Sequence, residues 1–156
     1  MSTGTEKRFA DQVLQCESLQ INGVSVAASA ASMNYLDNAL ADASIAVGAE
    51  STNVRAITIQ LKDGDGNDMA RRTPVLAALL LDANGDAFAA TGGSTGIEIG
   101  TDGALLAFVA KKLFLLISEA DGDIDLTWTD IGTEAAYLAL VMPNGRMVIS
   151  AALTNT

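Results

Sequence analysis

The chain contains no histidine and a single cysteine, Cys16, and each shortage narrows its chemistry. Without histidine there is no Ser-His-Asp or Cys-His machinery, no His-ligated zinc and no imidazole base. The sequence therefore reads as non-enzymatic and without a cofactor. One cysteine forms no intrachain disulfide, which fits synthesis in a reducing cytoplasm. No basic residue adjoins Cys16, so a small apolar role suits it better than a reactive thiol. Aromatic residues make up only 4% of the chain, which leaves few platforms for stacking on sugars or bases. Basic residues are scarce too: 9 Lys and Arg against 19 Asp and Glu give a net charge of -10. Such a chain repels phosphate backbones and anionic bilayers, so neither nucleic acid nor membrane is an expected partner. Long apolar runs are missing as well. Segments 74–81 and 135–142 fall far short of the roughly 20 residues of a membrane helix, and MSTGTEKRFADQ has no signal-peptide core, so a soluble, non-exported location is expected.

What is present is a globular composition. Apolar residues are 49% of the 156 and charged residues 18%, the reverse of a disordered segment. At this length one domain with a small appendage buries roughly 70% of its unfolded surface.

The chain divides near residue 53, into an N-terminal arm over 1–53 and a β-rich domain over 54–156. In the arm, Leu14, Cys16, Leu19, Ile21, Val24 and Val26 lie around Asn22-Gly23, the dipeptide that best supports a two-residue hairpin turn. Ser29 is placed to cap a short helix on which Met33, Leu36 and Leu40 recur at three and four residue spacing, with Ala30 and Ala43 extending the stripe. A helix of this length is marginal alone in water, so its stripe must dock somewhere. Segment 42–53, rich in Ala, Ser and Gly, reads as a linker.

Beyond it, short strands are predicted over 54–62, 73–81, 87–91, 97–100, 104–110, 113–119, 123–129, 135–142 and 146–153. The turns DGDGND, DANGD, TGGSTG, TDG, ADGD and PNG separate them. Strands so spaced, with no helix between them, predict a mostly β fold: an antiparallel β-sandwich of Ig-like or jelly-roll type, preceded by the hairpin arm and short helix. DIDLTWTD alternates, placing Ile124, Leu126 and Trp128 on one face and Asp123, Asp125, Thr127 and Thr129 on the other. VLAALLL, LFLLI and AYLALVM are apolar at successive positions, which requires cover on both faces. Neighbouring copies of the chain are the economical cover, so a homo-oligomer, specifically a trimer, is expected.

The candidate sites are few. Asp63, Asp65, Asn67 and Asp68, and again Asp82, Asn84 and Asp86, offer oxygen at alternating positions as calcium loops do. The sixth and twelfth positions of the first loop, however, hold Asp68 and Pro74 where an EF-hand wants Gly and Glu, so hairpin turns are the better reading. Asp121, Asp123 and Asp125 read as solvated carboxylates and Trp128 as core. Arg71-Arg72 and Lys111-Lys112 each precede an apolar strand. They serve either to discourage strand aggregation or to pair with an acidic partner surface. Gly92-Gly93 lacks the lysine and helix of a phosphate loop and reads as a turn.

Two stretches resemble a known group of proteins. LQINGVSVAASAASMNYLDN resembles the segment L-x-V-x-G-V-x-V-T-A-T-A-A-E-L-N-x-L-D-G that recurs in tailed-phage virion proteins. Asn22-Gly23-Val24, Val26, Ala30-Ala31, Asn34 and Leu36-Asp37 match it, while Met33 and Asn38 replace its usual Leu and Gly. ITIQLKDGDGND, DANGDAF, IGTDG, LISEADGDIDL and VMPNGRMVIS resemble phrases of a small β domain of phage head-fibre or capsid-decoration proteins. The resemblance implies a structural protein on the virion surface, made in the host cytoplasm, that decorates or cements the capsid by bridging subunits of the major capsid protein. It implies that the arm attaches to the capsid or an adjacent subunit while the sandwich forms an oligomeric knob. The expected contact residues are Val24, Val26, Met33, Tyr35, Leu36, Leu40, Arg71 and Arg72. The competing reading is a head-fibre or tail-associated receptor or glycan binder using TGGSTG and DGDGND, which the low aromatic content disfavours. A carboxylate hydrolase built on Asp123 or Asp125 ranks third.

Overall fold

A computed structural model describes residues 38–156 and, ahead of them, the strands at 19–21 and 24–26. Strands β1 (Leu19–Ile21) and β2 (Val24–Val26) pair antiparallel with Leu19 opposite Val26 and Ile21 opposite Val24, the predicted hairpin. The expected helix beginning at Ser29 lies outside the described residues as far as 37. Residues 38–41 are turn and coil, and Ala43 belongs to a strand, so the helical stripe does not extend through Leu40 and Ala43.

The linker expected over 42–53 is instead strand β3 (Asp42–Ser51), paired with β4 (Val54–Lys62). Ala43, Ile45 and Val47 face Leu61, Ile59 and Ile57 across this pair. The Ala, Ser and Gly residues between them carry low strand propensity, and cross-strand packing overrides it. The two residues at the tip, Thr52 and Asn53, both have positive φ (53° and 64°), the geometry that keeps a two-residue hairpin in line with strand twist. This hairpin spans the boundary drawn at residue 53.

The remaining strands are β5 (Pro74–Leu80), β6 (Gly96–Ile99), β7 (Ala104–Val109), β8 (Leu113–Ile117), β9 (Asp123–Thr129), β10 (Ala135–Val141), β11 (Met147–Ile149) and β12 (Leu153–Thr154). The strand predicted over 87–91 is reduced to an isolated bridge, Leu80 to Phe88, flanked by hydrogen bonds from Leu81 N–H to the Ala87 carbonyl and from Ala89 N–H to the Leu79 carbonyl. The strand predicted over 146–153 breaks into β11 and β12. Between them the buried Ser150 takes its place on Leu138, accepting that residue's N–H at its hydroxyl and donating its own N–H to that residue's carbonyl.

All pairings are antiparallel and make two main sheets. The smaller runs β3-β4-β9-β6; the larger runs β11-β10-β5-β8-β7, with β12 also on β10. Their inner faces bury one continuous core. Ile57, Ile59, Leu61, Ile124, Leu126 and Trp128 come from the smaller sheet, and Val75, Ala77, Leu79, Phe114, Leu116, Leu138 and Leu140 from the larger. The fold is thus the predicted antiparallel β-sandwich. β9 alternates as its sequence does, with Ile124, Leu126 and Trp128 buried and Asp123, Asp125, Thr127 and Thr129 outward.

One end of this core is closed by the loop between β5 and β6. The Trp128 indole N–H donates to the Gly92 carbonyl at 3.2 Å, and Gly93 lies directly over the ring. Gly93 has φ +93°, and a Cβ there would stand 2.8 Å from Trp128 Nε1 and 2.7 Å from the Thr129 carbonyl oxygen. Gly66, in the β4–β5 loop, has a similar φ of +85° but open space around it. Gly66→Ala is therefore expected to cost about 1 kcal/mol, the backbone strain alone. Gly93→Ala should cost at least about 2 kcal/mol, because strain and overlap add. Urea unfolding of the two variants measures the difference, and equal midpoints would mean that the loop does not press on Trp128.

Candidate functional site

Strand β4 orders the surface, since its two ends carry different chemistry. At the Lys62 end the leading segment enters the sandwich. Leu40 is only 6% exposed and sits in the core; Ala41 N–H donates to the Lys62 carbonyl, and Asn144 Nδ2 donates to the Ala41 carbonyl at 3.0 Å. Arg146 pairs with Asp42 at 2.7 Å, and Arg71 donates to the Asn38 carbonyl at 2.6 Å. A cleft of about 210 Å³ lies beside this root, lined by Asn38, Asp63, Asp68, Met69, Ala70 and Arg71.

These positions revise several sequence expectations. Leu40 is not available as a capsid contact, because its side chain anchors the chain to its own core. Arg71 and Arg72 are exposed, but each guanidinium already serves this chain, Arg71 on Asn38 and Arg72 on Glu119 at 2.6 Å. Val24 and Val26 lie on β2, paired in register with Ile21 and Leu19 of β1. Met33, Tyr35 and Leu36 lie outside the described residues. Lys111 and Lys112 both bond to backbone carbonyls of the β5–β6 loop. Lys111 turns the chain with φ 62° and donates to the carbonyls of Gly93 and Ser94, while Lys112 reaches the Ala90 carbonyl at 2.8 Å. The acidic turns close on themselves: Asp63 Oδ1 accepts the N–H groups of Asp65 and Asn67, and Asp82 Oδ1 those of Asn84 and Gly85.

On the outer face of the smaller sheet, Asp102, Asp123 and Asp125 bring carboxylate oxygens within 4.8 Å of one another. Asp123 and Asp125 are two residues apart on β9. Asp102, in the turn after β6, joins them because the β6–β9 pairing carries that turn across, its carbonyl accepting the Asp125 N–H at 2.9 Å. No sequence spacing announces this third carboxylate. Asp125 is held by hydroxyls, from Thr58 at 3.1 Å and from Thr101. Asp123 Oδ1 is buried without a hydrogen-bond partner. Burial first, and the Asp125 charge second, push the Asp123 carboxyl above the ordinary aspartate value. The set is one of hard oxygen donors, which suits a hard cation, and such clusters also occur without one.

At the Val54 end of β4, Glu134 acts as a latch on the β5–β6 loop. Its carboxylate accepts the N–H groups of Thr91 and Gly93, each at 2.8 Å, and the Thr91 hydroxyl. Burial alone would raise its pKa, but these donors outweigh it and hold the carboxyl below the ordinary glutamate value. Asp130 continues the lock through the N–H groups of Ser94 and Glu134, and Asn155 ties the C-terminus to the carbonyls of Asn53 and Asp130.

The outer face of the larger sheet is of another kind. None of the residues in β5, β7, β8, β10 and β11 is charged. Ala78, Leu80 and Ala139 form a small buried cluster on this face with Leu113, Tyr137 and Ile149 against it. Toward its margins Leu106, Phe108, Val109 and Met147 are 58%, 56%, 46% and 45% exposed.

No family model matches the chain, and no curated protein matches it. Among solved structures, a cohesin module from the family 33 glycoside hydrolase of Clostridium perfringens ATCC13124 is similar. It is 14% identical over 74% of this chain and 96% of that one, with a TM-score of 0.39.

The two shifted carboxyls make opposite demands on pH. Stability from Glu134, whose folded pKa is lowered, is complete above the ordinary glutamate value and disappears as pH falls through the folded one. For Asp123, whose folded pKa is raised, the cost grows as pH rises from the ordinary aspartate value through the folded one, and vanishes below both. Near about pH 7, Glu134→Gln should therefore lower the urea midpoint and Asp123→Asn should raise it, the first difference fading as pH falls through the lowered folded value and the second below the ordinary aspartate value. A lowered midpoint for Asp123→Asn at neutrality would show that its buried oxygen is satisfied after all.

Proposed function

We propose that this protein is a tailed-phage virion accessory protein that decorates or cements the capsid exterior by bridging subunits of the major capsid protein. The reading rests on the resemblance of segment 19–38 to virion proteins. The observation that supports it further is how residues 38–42, which follow that segment, are held. Arg71, Asn144 and Arg146 bond to them from two loops, and Leu40 is buried in the core. Ahead of them, β1 and β2 form a hairpin of three-residue strands, with Leu19 opposite Val26 and Ile21 opposite Val24. An isolated two-stranded hairpin is marginal in water, and an apolar face to pack on stabilises it. The capsid surface supplies that face in this reading, and the sandwich, as a homotrimer on the shell, forms the outer knob. Binding of this kind favours the assembled shell by mass action.

The arm and the body can be tested apart. Val24→Asp together with Val26→Asp should weaken co-sedimentation with capsids assembled without the protein by at least about 10-fold. The melting midpoint of the sandwich should stay within a few degrees of the parent's. Parent protein that fails to bind such capsids, or clear hits on a glycan array, would replace this reading with the receptor-binding one.

A further inference from the structure

The larger sheet buries its inner face against the smaller one and turns outward a second apolar face, whose centre, Ala78, Leu80 and Ala139, is buried and whose β7 side, Leu106, Phe108 and Val109, is exposed. We propose that this outer face, together with the free β7 edge, is the surface through which copies of this chain associate. The inference does not rest on the capsid reading.

Three observations select another copy as the occupant. The first is charge. The chain carries a net charge of -10, yet the five strands of this face have no ionised residue, whereas β3, β4, β6 and β9 of the other sheet all carry some. Two strongly acidic copies repel one another over most of their surface, and here alone a whole sheet lets them meet without opposing charges. A foreign partner chosen by charge would find no handle on it.

The second is the edge. Among the described residues β7 pairs with β8 alone, leaving its other side unpaired over ALLAFV, without a charge or a proline. Natural edges of this kind are usually guarded by charge, most often lysine. The nearest lysines, Lys111 and Lys112, are tied to carbonyls of the 90–94 loop and do not guard it. An uncharged edge is complementary to itself, because a second β7 brings nothing that repels it.

The third is exposure. The centre of this face, Ala78, Leu80 and Ala139, is buried, whereas Leu106, Phe108, Val109 and Met147 are 58%, 56%, 46% and 45% exposed, and three of these four lie together on the β7 edge. Neighbouring exposed apolar side chains of this kind mark interaction surfaces.

The test uses the full chain. Light scattering and sedimentation should give the parent a mass of at least two chains of 16.0 kDa. Leu106→Glu with Phe108→Glu places two charges at exposed positions, so the fold should persist by circular dichroism while the dissociation constant rises at least about 100-fold. Ile131→Glu, at a residue 77% exposed but on a loop outside the larger sheet, should leave the mass unchanged. Should the double variant unfold, hydrogen exchange in the parent decides instead: amides of 104–109 should be protected at high concentration and lose protection on dilution. A monomeric parent, whether its own leading segment or a foreign protein covers the face, overturns the proposal. So does an oligomer that survives the double variant, or one that Ile131→Glu also dissolves.

Discussion

Inter-sheet packing sets the terms for everything else in this molecule. Ile57, Ile59 and Leu61 on β4 and Ile124, Leu126 and Trp128 on β9 meet Leu79, Phe114, Leu116, Leu138 and Leu140 across the gap, and all are essentially buried. Fully burying side chains of this size contributes about 1.5–3 kcal/mol each, the only favourable term here large enough to offset the entropy of ordering the chain. The surface pairs are of another order: Lys62–Asp68, Arg72–Glu119 and Arg146–Asp42 are exposed, and such pairs are worth at most about 1 kcal/mol. Their contribution is to position the loops that the core has already brought near one another.

The two sheets solve different problems with their outer faces. In the smaller sheet β9 alternates strictly, and the outer face collects Asp123, Asp125, Thr58 and Thr127. The larger sheet does not alternate. Its Val75, Ala77 and Leu79 go to the core while Leu76, Ala78 and Leu80 go to the other side, equally apolar. Small residues at the centre of that second face, Ala78 and Ala139, are covered by their neighbours, whereas Leu106 and Phe108 at its margin are not. The exposed apolar side chains at that margin are what the proposed association between copies would cover.

Where side-chain alternation alone decides the structure, the sequence is legible: β4, β9 and the hairpin of β1 and β2 follow directly from their apolar spacing. β3 escapes because Ala, Gly and Ser dilute its alternation, and only the partner strand reveals that Ala43, Ile45 and Val47 form one face. Phe88 and Ala89 look like strand, yet Gly92 and Gly93 pull the chain off the sheet edge to cover Trp128. Asp102 joins Asp123 and Asp125 through sheet register, a long-range relation that no local pattern encodes. Arg71, Lys111 and Lys112 look like free cations and are structural, because backbone carbonyls compete for them once the loops are folded. The chemistry of single residues reads from sequence; their partners do not.

The placement of the arm gives the apolar face a consequence beyond association. The root at Asn38–Asp42 is gripped by Arg71, ahead of β5, and by Asn144 and Arg146 in the β10–β11 turn, so it lies at one end of the larger sheet. Copies packed through the outer face of that sheet would hold several roots at fixed, short separations. If the hairpin is the capsid contact proposed above, arms gathered on one body would rebind at an effective concentration set by their spacing, which raises avidity by orders of magnitude without any new contact. Under that proposal the uncharged sheet and the three-residue strands of the hairpin belong to one arrangement, because the face that gathers copies would also gather arms.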